Sequence, residues 1–260
     1  MKHKKKYIRR ILVGVVIIAL IGSILFVMNA FMGNPISAFF AKKSIIRYVD
    51  ENYSDLDLKT EKVYFDFKNG SYFARTKSDS SIDTHFNIYY QNGKVVRDDY
   101  EGNVLGLFNT MERFSDQYTD IAKNIVSKDI GYEDNNTMVM YNKNEYENAA
   151  TLLELDMKFE KTLPLDAEVY IQVDLKENTI EQVARVLLDA HEAFKENNCN
   201  FSAYNLFSAT DDGDIISVSG VTPDIIENGQ LLKLLENAHK QNGADIDGIS
   251  VFYKEKNKED

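Results

Sequence analysis

The sequence predicts an α+β chain in three parts: an N-terminal transmembrane helix, a domain of one helix plus a four-stranded antiparallel meander, and a C-terminal ferredoxin-like βαββαβ domain. Three observations predict it. An uncharged apolar run at residues 11–32 follows a basic cluster. Asn-Gly pairs at 69–70 and 92–93 each separate two alternating runs, the strongest short hairpin signal. Beyond residue 160, strand and helix periods follow one another in the order of a split βαβ fold.

The apolar run exceeds the about 20 residues that a helix needs to cross the hydrocarbon core. Gly14, Gly22, Ser23 and Asn29 interrupt it without charge. A cleaved signal peptide has a shorter apolar core, about 7–15 residues, and a small-x-small cleavage site. The best such site would cut after Ala30, where Met28 fills the position that should be small. The reading is therefore an uncleaved anchor. The only cysteine, Cys199, lies far downstream, which excludes a lipid-modified cysteine after the run. Residues 1–10 hold Lys2, Lys4, Lys5, Lys6, Arg9 and Arg10 and should stay in the cytoplasm, with the body outside the cell membrane. Ala19 and Ser23 form a small-xxx-small pair of the kind that supports helix pairing, a spacing that also arises often by chance.

Charge agrees with an exported body. No Asp or Glu precedes Asp50, so the part after the membrane run is more acidic than the chain's net charge of −11. An acidic surface repels phosphate backbones and anionic headgroups, which argues against nucleic-acid binding and against broad adhesion to anionic lipid beyond the anchor. One cysteine allows no intrachain disulfide framework.

The membrane-proximal domain is assigned to residues 34–126. Gly33-Asn34-Pro35 ends the spanning helix and restarts the chain, with Asn34 as N-cap and Pro35 at the first helical position. Ile36, Phe39, Phe40, Ile46, Val49 and Tyr53 then recur at near-helical spacing. No Ser/Gly-rich or Pro-rich stalk intervenes, so this domain should sit directly on the bilayer. The period next drops to 2: strands are expected at 63–67, 71–76, 86–90 and 95–100. A closing helix should place Val104, Leu107, Phe108, Met111, Phe114, Tyr118, Ile121 and Ile125 on one face.

Residues 127–160 read as a connecting segment with some structure of its own: a short apolar stretch at 138–141 and a helix at about 145–155. The ferredoxin-like domain covers 161–254, and 255–260 form a disordered tail. Its strands are expected at 167–175, 201–207, 214–219 and 248–253. Its first helix starts at Thr179, where Thr179 and Gln182 fit a capping box. Thr222-Pro223 starts its second helix, with Leu231, Leu234, Leu235 and Ala238 inward.

Several segments resemble the YfjL-like family of Gram-positive cell-envelope proteins. They are residues 34–43 (NPISAFFAKK), 80–86 (SSIDTHF), 153–157 (LELDM) and 218–223 (VSGVTP). The resemblance implies a Gram-positive envelope setting and assigns no activity or catalytic residue.

The candidate binding residues are Ser80, Ser81, Asp83, Thr84 and His85. Ser81, Asp83 and His85 supply the residue types of a nucleophilic triad and share one face if the segment is extended. Extended, however, Ser81 and His85 lie about 13 Å apart, whereas a nucleophile and its base need about 2.6–3.2 Å. Ser and Asp at a strand entrance more often cap backbone groups. No catalytic residue, metal site or cofactor is assigned. Asp211, Asp212 and Asp214 lack the closing Glu of an EF-hand loop. His85, His191 and His239 fall on separate elements, and His191 reads as a core-edge histidine. Cys199 reads as half-buried. Sequons at Asn52, Asn135 and Asn200 would matter only in a eukaryotic secretory pathway.

Two functions fit. The favoured one is a non-catalytic interaction module, anchored in the membrane through the N-terminal helix and binding an envelope protein or peptide through a sheet edge or an interdomain groove. The alternative is an envelope hydrolase centred on Ser81, Asp83 and His85. Whether the chain is an enzyme stays open at this point, with the balance against it.

Overall fold

The computed structural model describes residues 2–141, 152–210 and 213–255. It is α+β, with one long N-terminal apolar helix and two sheets. The chain divides into two compact units, Met1–Leu105 and Gly106–Asp260.

The first unit begins with α1 (Lys2–Met32). Its apolar stretch is long enough to cross a membrane and is not buried against protein. Only Gly33 and Asn34 separate it from α2 (Pro35–Asn52). Gly33 has φ +73°, and a Cβ there would come within 2.6 Å of the Phe65 ring and 2.8 Å of the Tyr72 hydroxyl. Only glycine fits such a position. Asn34 caps α2 as predicted, its Oδ1 accepting from the Ile36 N–H at 2.8 Å and the Ser37 N–H at 3.4 Å. The Tyr72 hydroxyl accepts from the Asn34 N–H at 2.6 Å and donates to the Asn34 carbonyl at 3.1 Å. The link between α1 and α2 is thereby clamped to the first sheet.

That sheet contains β1 (Leu58–Thr60), β2 (Tyr64–Asp66), β3 (Ser71–Ser78), β4 (His85–Gln91) and β5 (Lys94–Asp98). The expected meander runs β2-β3-β4-β5, and β1 is an addition that shares the outer edge of β3 with β2. Asn92 (φ 52°) and Gly93 (φ 86°) make the tight two-residue turn between β4 and β5. The first hairpin differs. Asp66 pairs with Ser71 across a loop that includes Phe67 and Lys68, and only Gly70 has positive φ. The Asp66 carboxylate accepts from the Lys68 N–H at 3.0 Å and the Asn69 side-chain amide at 2.5 Å, and this Asx turn opens the loop. Ala41, Ile45 and Val49 of α2 pack on Ala74, Phe86, Ile88 and Tyr90 to form the core. Ile36, Phe39 and Phe40, whose spacing helps predict the helix, point away from it and are exposed.

The second unit comprises α3 (Phe108–Ile125), β6 (Met138–Tyr141), β7 (Ala167–Gln172), α4 (Ile180–Glu196), β8 (Ala203–Ala209), β9 (Ile215–Val221), α5 (Pro223–Glu227), α6 (Leu231–His239), β10 (Asp245–Ile246) and β11 (Ile249–Lys254). Its core joins Met111, Phe114 and Tyr118 of α3, Val183, Leu187 and Phe194 of α4, and Leu231 and Leu235 of α6. These cover the inward residues of the sheet, from Val139 through Leu206 to Val251. At roughly 1.5–3 kcal/mol per fully buried large apolar side chain, this layer is the main source of the unit's stability.

Three expectations need correction. The helix assigned to close the first domain packs in the second core instead. Val104 alone stays with the first core, while Met111, Phe114 and Tyr118 join the second. The 127–160 segment is no connector either: β6 pairs with β7 as an edge strand of the second sheet, and Leu153 is buried in its core. The helix expected at about 145–155 falls largely outside the described residues, as do Asp211, Asp212 and most of the 255–260 tail.

The third correction concerns topology. The sheet order is β10-β11-β9-β8-β7-β6, with β7 and β8 adjacent and parallel. A ferredoxin-like sheet would insert β9 between them. Here β9 pairs with β8 and β11, and β7's other edge is taken by β6. The order of elements along the chain is the same in both threadings, so the sequence pattern could not separate them.

Gly220 (φ +82°) lies where β9 faces the turn before β11, and a Cβ there would fall 2.0 Å from the Gly248 carbonyl oxygen. Gly220→Ala should cost on the order of 2–4 kcal/mol of second-unit stability, because backbone must move against backbone. Gly70→Ala, which meets nothing within 4 Å, should cost about 1 kcal/mol from its left-handed φ alone. Urea unfolding followed by far-ultraviolet circular dichroism checks both.

Candidate functional site

The predicted polar segment is the β3–β4 connection. Ser81 Oγ donates to Thr84 Oγ1 at 2.6 Å and accepts from the Thr84 N–H at 3.0 Å. Ser78 and Ser80 share a hydroxyl contact at 2.9 Å, and the Ser80 N–H donates to Ser78 Oγ at 3.2 Å. Asp83 and Thr84 are buried. The loop is closed by the Ser78 N–H donating to the Thr84 carbonyl at 2.9 Å. These side chains hold backbone, as expected of Ser and Asp at a strand entrance.

His85 faces Arg75, whose Nη2 lies 2.9 Å from its Nδ1. A guanidinium can only donate, so Nδ1 must be the unprotonated acceptor and Nε2 carries the hydrogen. Burial and the Arg75 charge both push the imidazole's pKa below its ordinary value, and Asp83 opposes them weakly. Ser81 thus bonds to Thr84, and the one basic nitrogen of His85 is occupied by Arg75.

In the second unit, His191 sits at the core edge as expected. Its Nδ1 is 2.9 Å from the Tyr204 hydroxyl and its Nε2 3.3 Å from Glu227 Oε1. The Lys195 ammonium, 2.6 Å from the same carboxylate oxygen, and His191 hold Glu227 below the usual carboxylate range. Cys199 is fully buried rather than half-buried, and burial pushes its thiol up, so it is a poor nucleophile. A cleft of about 380 Å³ opens beside Tyr118, Lys161, Asn200 and Ser202. Two of its polar groups are committed: the Tyr118 hydroxyl accepts from the Asn200 N–H at 3.0 Å, and Lys161 Nζ donates to the Asn197 carbonyl at 2.6 Å.

The remaining surface feature is the face of the second sheet opposite its helices. Among the described residues a helix layer covers one side only, and the outward residues include exposed Met138, Met140, Phe207 and Phe252. A shallow groove of about 180 Å³ runs between Met138, Tyr170, Asn205, Phe207, Ser217 and Ser219. Its floor is built. Asn205 Nδ2 donates to Glu168 Oε2 at 3.3 Å and to the Val169 carbonyl at 3.4 Å, while its Oδ1 accepts from the Gly220 N–H at 3.1 Å. The Tyr170 hydroxyl donates to Glu168 Oε2 at 2.9 Å, and burial followed by that carboxylate raises its pKa. The β8–β9 register shifts between Tyr204 and Leu206, and Asn205 supplies from its side chain what the bulge interrupts.

The sheet edges are poor docking sites by comparison. The outward Val139 N–H of β6 is taken by Thr119 Oγ1 of α3 at 2.8 Å. β1, β2 and β10 are two or three residues long, and β5 carries Lys94, Arg97 and Asp98. Short and charged edges resist strand addition.

Sequence reasoning missed this face. The signal was present in apolar residues at positions where alternation calls for polar ones, at Met138, Met140, Phe207 and Phe252. Which of two alternate sets faces out is invisible until the helices are placed.

His85 yields a pH prediction. With its folded pKa depressed, the unfolded chain binds the extra proton between that value and the ordinary 6.5. First-unit stability should therefore fall as pH drops below about 6.5 toward the folded pKa. His85→Gln should flatten that slope, and denaturant midpoints between pH 7.5 and 5 read it directly.

Comparison with known proteins places the chain. No curated protein matches it, and no solved structure does. Two family models match: a YfjL-like N-terminal domain over residues 8–99 and a YfjL-like C-terminal domain over residues 117–236. The two matches fall on either side of the Leu105–Gly106 division. The chain belongs to the YfjL-like family.

Proposed function

We propose that this chain is a single-pass protein of the Gram-positive cell membrane. In this reading α1 is an uncleaved signal anchor, the basic N-terminus is cytoplasmic, and both folded units are extracytoplasmic. The basic cluster ahead of the apolar helix supports this sidedness, and the YfjL-like matches are consistent with an envelope setting.

The proposed role is non-catalytic binding of an envelope protein or peptide on the open face of the second sheet. One observation carries it: exposed Met138, Met140, Phe207 and Phe252 stand on a sheet face with no helix over it among the described residues, around a groove whose polar floor is already satisfied. Flexible methionines and flat aromatics adapt to apolar partner side chains. An exposed apolar face on a rigid sheet marks an interaction surface more often than a reaction site. Nucleic acid is a poor partner for so acidic a body. The alternative is an envelope hydrolase around Ser81, Asp83 and His85, where the Ser81 hydroxyl bonds to Thr84 and His85 Nδ1 meets Arg75.

A photo-crosslinking residue at position 207 of the full chain in intact cells should give discrete adducts with one partner, and the same residue at exposed Leu188 on α4 should not. The adduct should be lost when Met138→Glu is added and kept when Ser81→Ala and His85→Ala are added. Fluorophosphonate labelling of Ser81 that disappears in His85→Ala would instead support the hydrolase.

A further inference from the structure

The outward face of α2 is unlike an ordinary solvated helix face. At about 100° per residue, Ala41, Ile45 and Val49 mark the buried side. The opposite stripe runs Ile36, Phe39, Phe40, Lys43, Arg47. Ile36, Phe39 and Phe40 are 67%, 65% and 53% exposed, a cost that nothing in the first core offsets. The stripe is graded along the helix: apolar in its first turns, next to the end of α1, and basic farther on. A second element joins it. Phe67, in the open loop between β2 and β3, is exposed and lies 5.8 Å from Phe31 of α1, ring centroid to ring centroid. The apolar surface of α1 therefore continues without a gap onto the β2–β3 loop, and through the two-residue clamped link onto α2.

From this continuity we infer that the first unit is seated in the bilayer interface rather than merely tethered to it. Ile36, Phe39, Phe40 and Phe67 enter the headgroup–acyl boundary, and Lys43 and Arg47 meet the phosphates of anionic lipids in the same leaflet. The inference rests on α1 crossing the membrane. It also refines the expectation that an acidic body avoids anionic lipid: the acidity is a property of the whole, and this stripe is locally basic. Interfacial segments bury an apolar face about 5–10 Å deep with Lys and Arg above it, and the roughly 16 Å from Ile36 to Arg47 matches such a gradient. The opposite end of the sheet serves as an internal reference, because β3 carries the chain roughly 23 Å from the β2–β3 loop to the β3–β4 loop. Exposed Ile82 sits in that far loop.

The chain contains no tryptophan, so single Trp probes report without background. In the full chain reconstituted into vesicles of phosphatidylcholine with phosphatidylglycerol and brominated acyl chains, Phe40→Trp and Phe67→Trp should be quenched at least about twofold more than Ile82→Trp. Lys43→Glu with Arg47→Glu should reduce the quenching at position 40 by about half. Phe26→Trp, within α1, separates the two claims. Strong quenching at position 26 with positions 40 and 67 at the Ile82 level overturns the interfacial seat alone. Absence of quenching at position 26 overturns the membrane-spanning reading beneath it. Unchanged quenching after charge reversal overturns the phosphate contacts.

Discussion

The Tyr72 hydroxyl is the contact on which the organisation of the first unit depends. It accepts the Asn34 N–H and donates to the Asn34 carbonyl, which also accepts from the Ala38 N–H at 2.9 Å, so one side chain of the sheet holds both polar backbone groups of the residue between two helices. Such a link would otherwise leave the Asn34 N–H as a donor competing for water at the edge of an apolar helix. Gly33 makes the approach possible, because any Cβ would collide with Phe65 and with the same hydroxyl. Asn34 then caps α2, and α2 supplies the core face of the unit. Two residues thus convert an apolar helix into a fixed mount for a folded domain. A flexible stalk would let a domain sample a volume; this link is two residues long and hydrogen-bonded to the sheet.

The second unit is governed by one-sided coverage. Its helices bury one face of a six-stranded sheet, and the other face must be soluble or occupied. Part of its polar chemistry is internally satisfied: Tyr170 and Asn205 both bond to Glu168, and Asn205 reaches the Gly220 amide across the bulge. Exposed apolar side chains, Met138, Met140, Phe207 and Phe252, stand on this face among polar ones such as Gln172 and Ser219. A rigid floor with adaptable apolar walls suits a binding surface. The Ser78–His85 loop has the reverse character, since Ser81 bonds to the side chain and backbone of Thr84 and the His85 imidazole meets Arg75.

Local chemistry in this chain was legible from residues, and threading was not. Asn34 and Thr179 act as N-caps at the positions their side chains and successors imply, and Asn92-Gly93 makes the tight hairpin its positive φ values require. Asn69-Gly70 reads the same way but yields a longer loop, because Asp66 three residues earlier captures the Lys68 amide and the Asn69 side chain. The strand and helix order of the second unit was visible. Its pairing was not, because β7-α4-β8-β9 fits either an inserted or an appended β9. The run from Val104 to Ile125 reads as one helical face, yet the unit boundary falls inside it at Leu105. Periodicity carries no information about which core a face joins. Ile36, Phe39 and Phe40 supported the helix assignment while pointing away from the core, since an outward apolar stripe and a core-facing stripe have the same spacing. The candidate site was hidden for a related reason: alternation shows that a strand has two faces without saying which is covered.

The stalkless mount is the central claim, and a distance distribution tests it most directly. In a Cys199→Ala background, spin labels at Phe26→Cys in α1 and Ile82→Cys in the β3–β4 loop report across the clamped link in the reconstituted full chain. The account predicts one narrow distance, as narrow as that between labels at positions 82 and 96 within the same unit, and a marked broadening when Tyr72→Phe removes the clamp. A broad distribution in the otherwise unaltered chain, of the kind a flexible stalk produces, would contradict it.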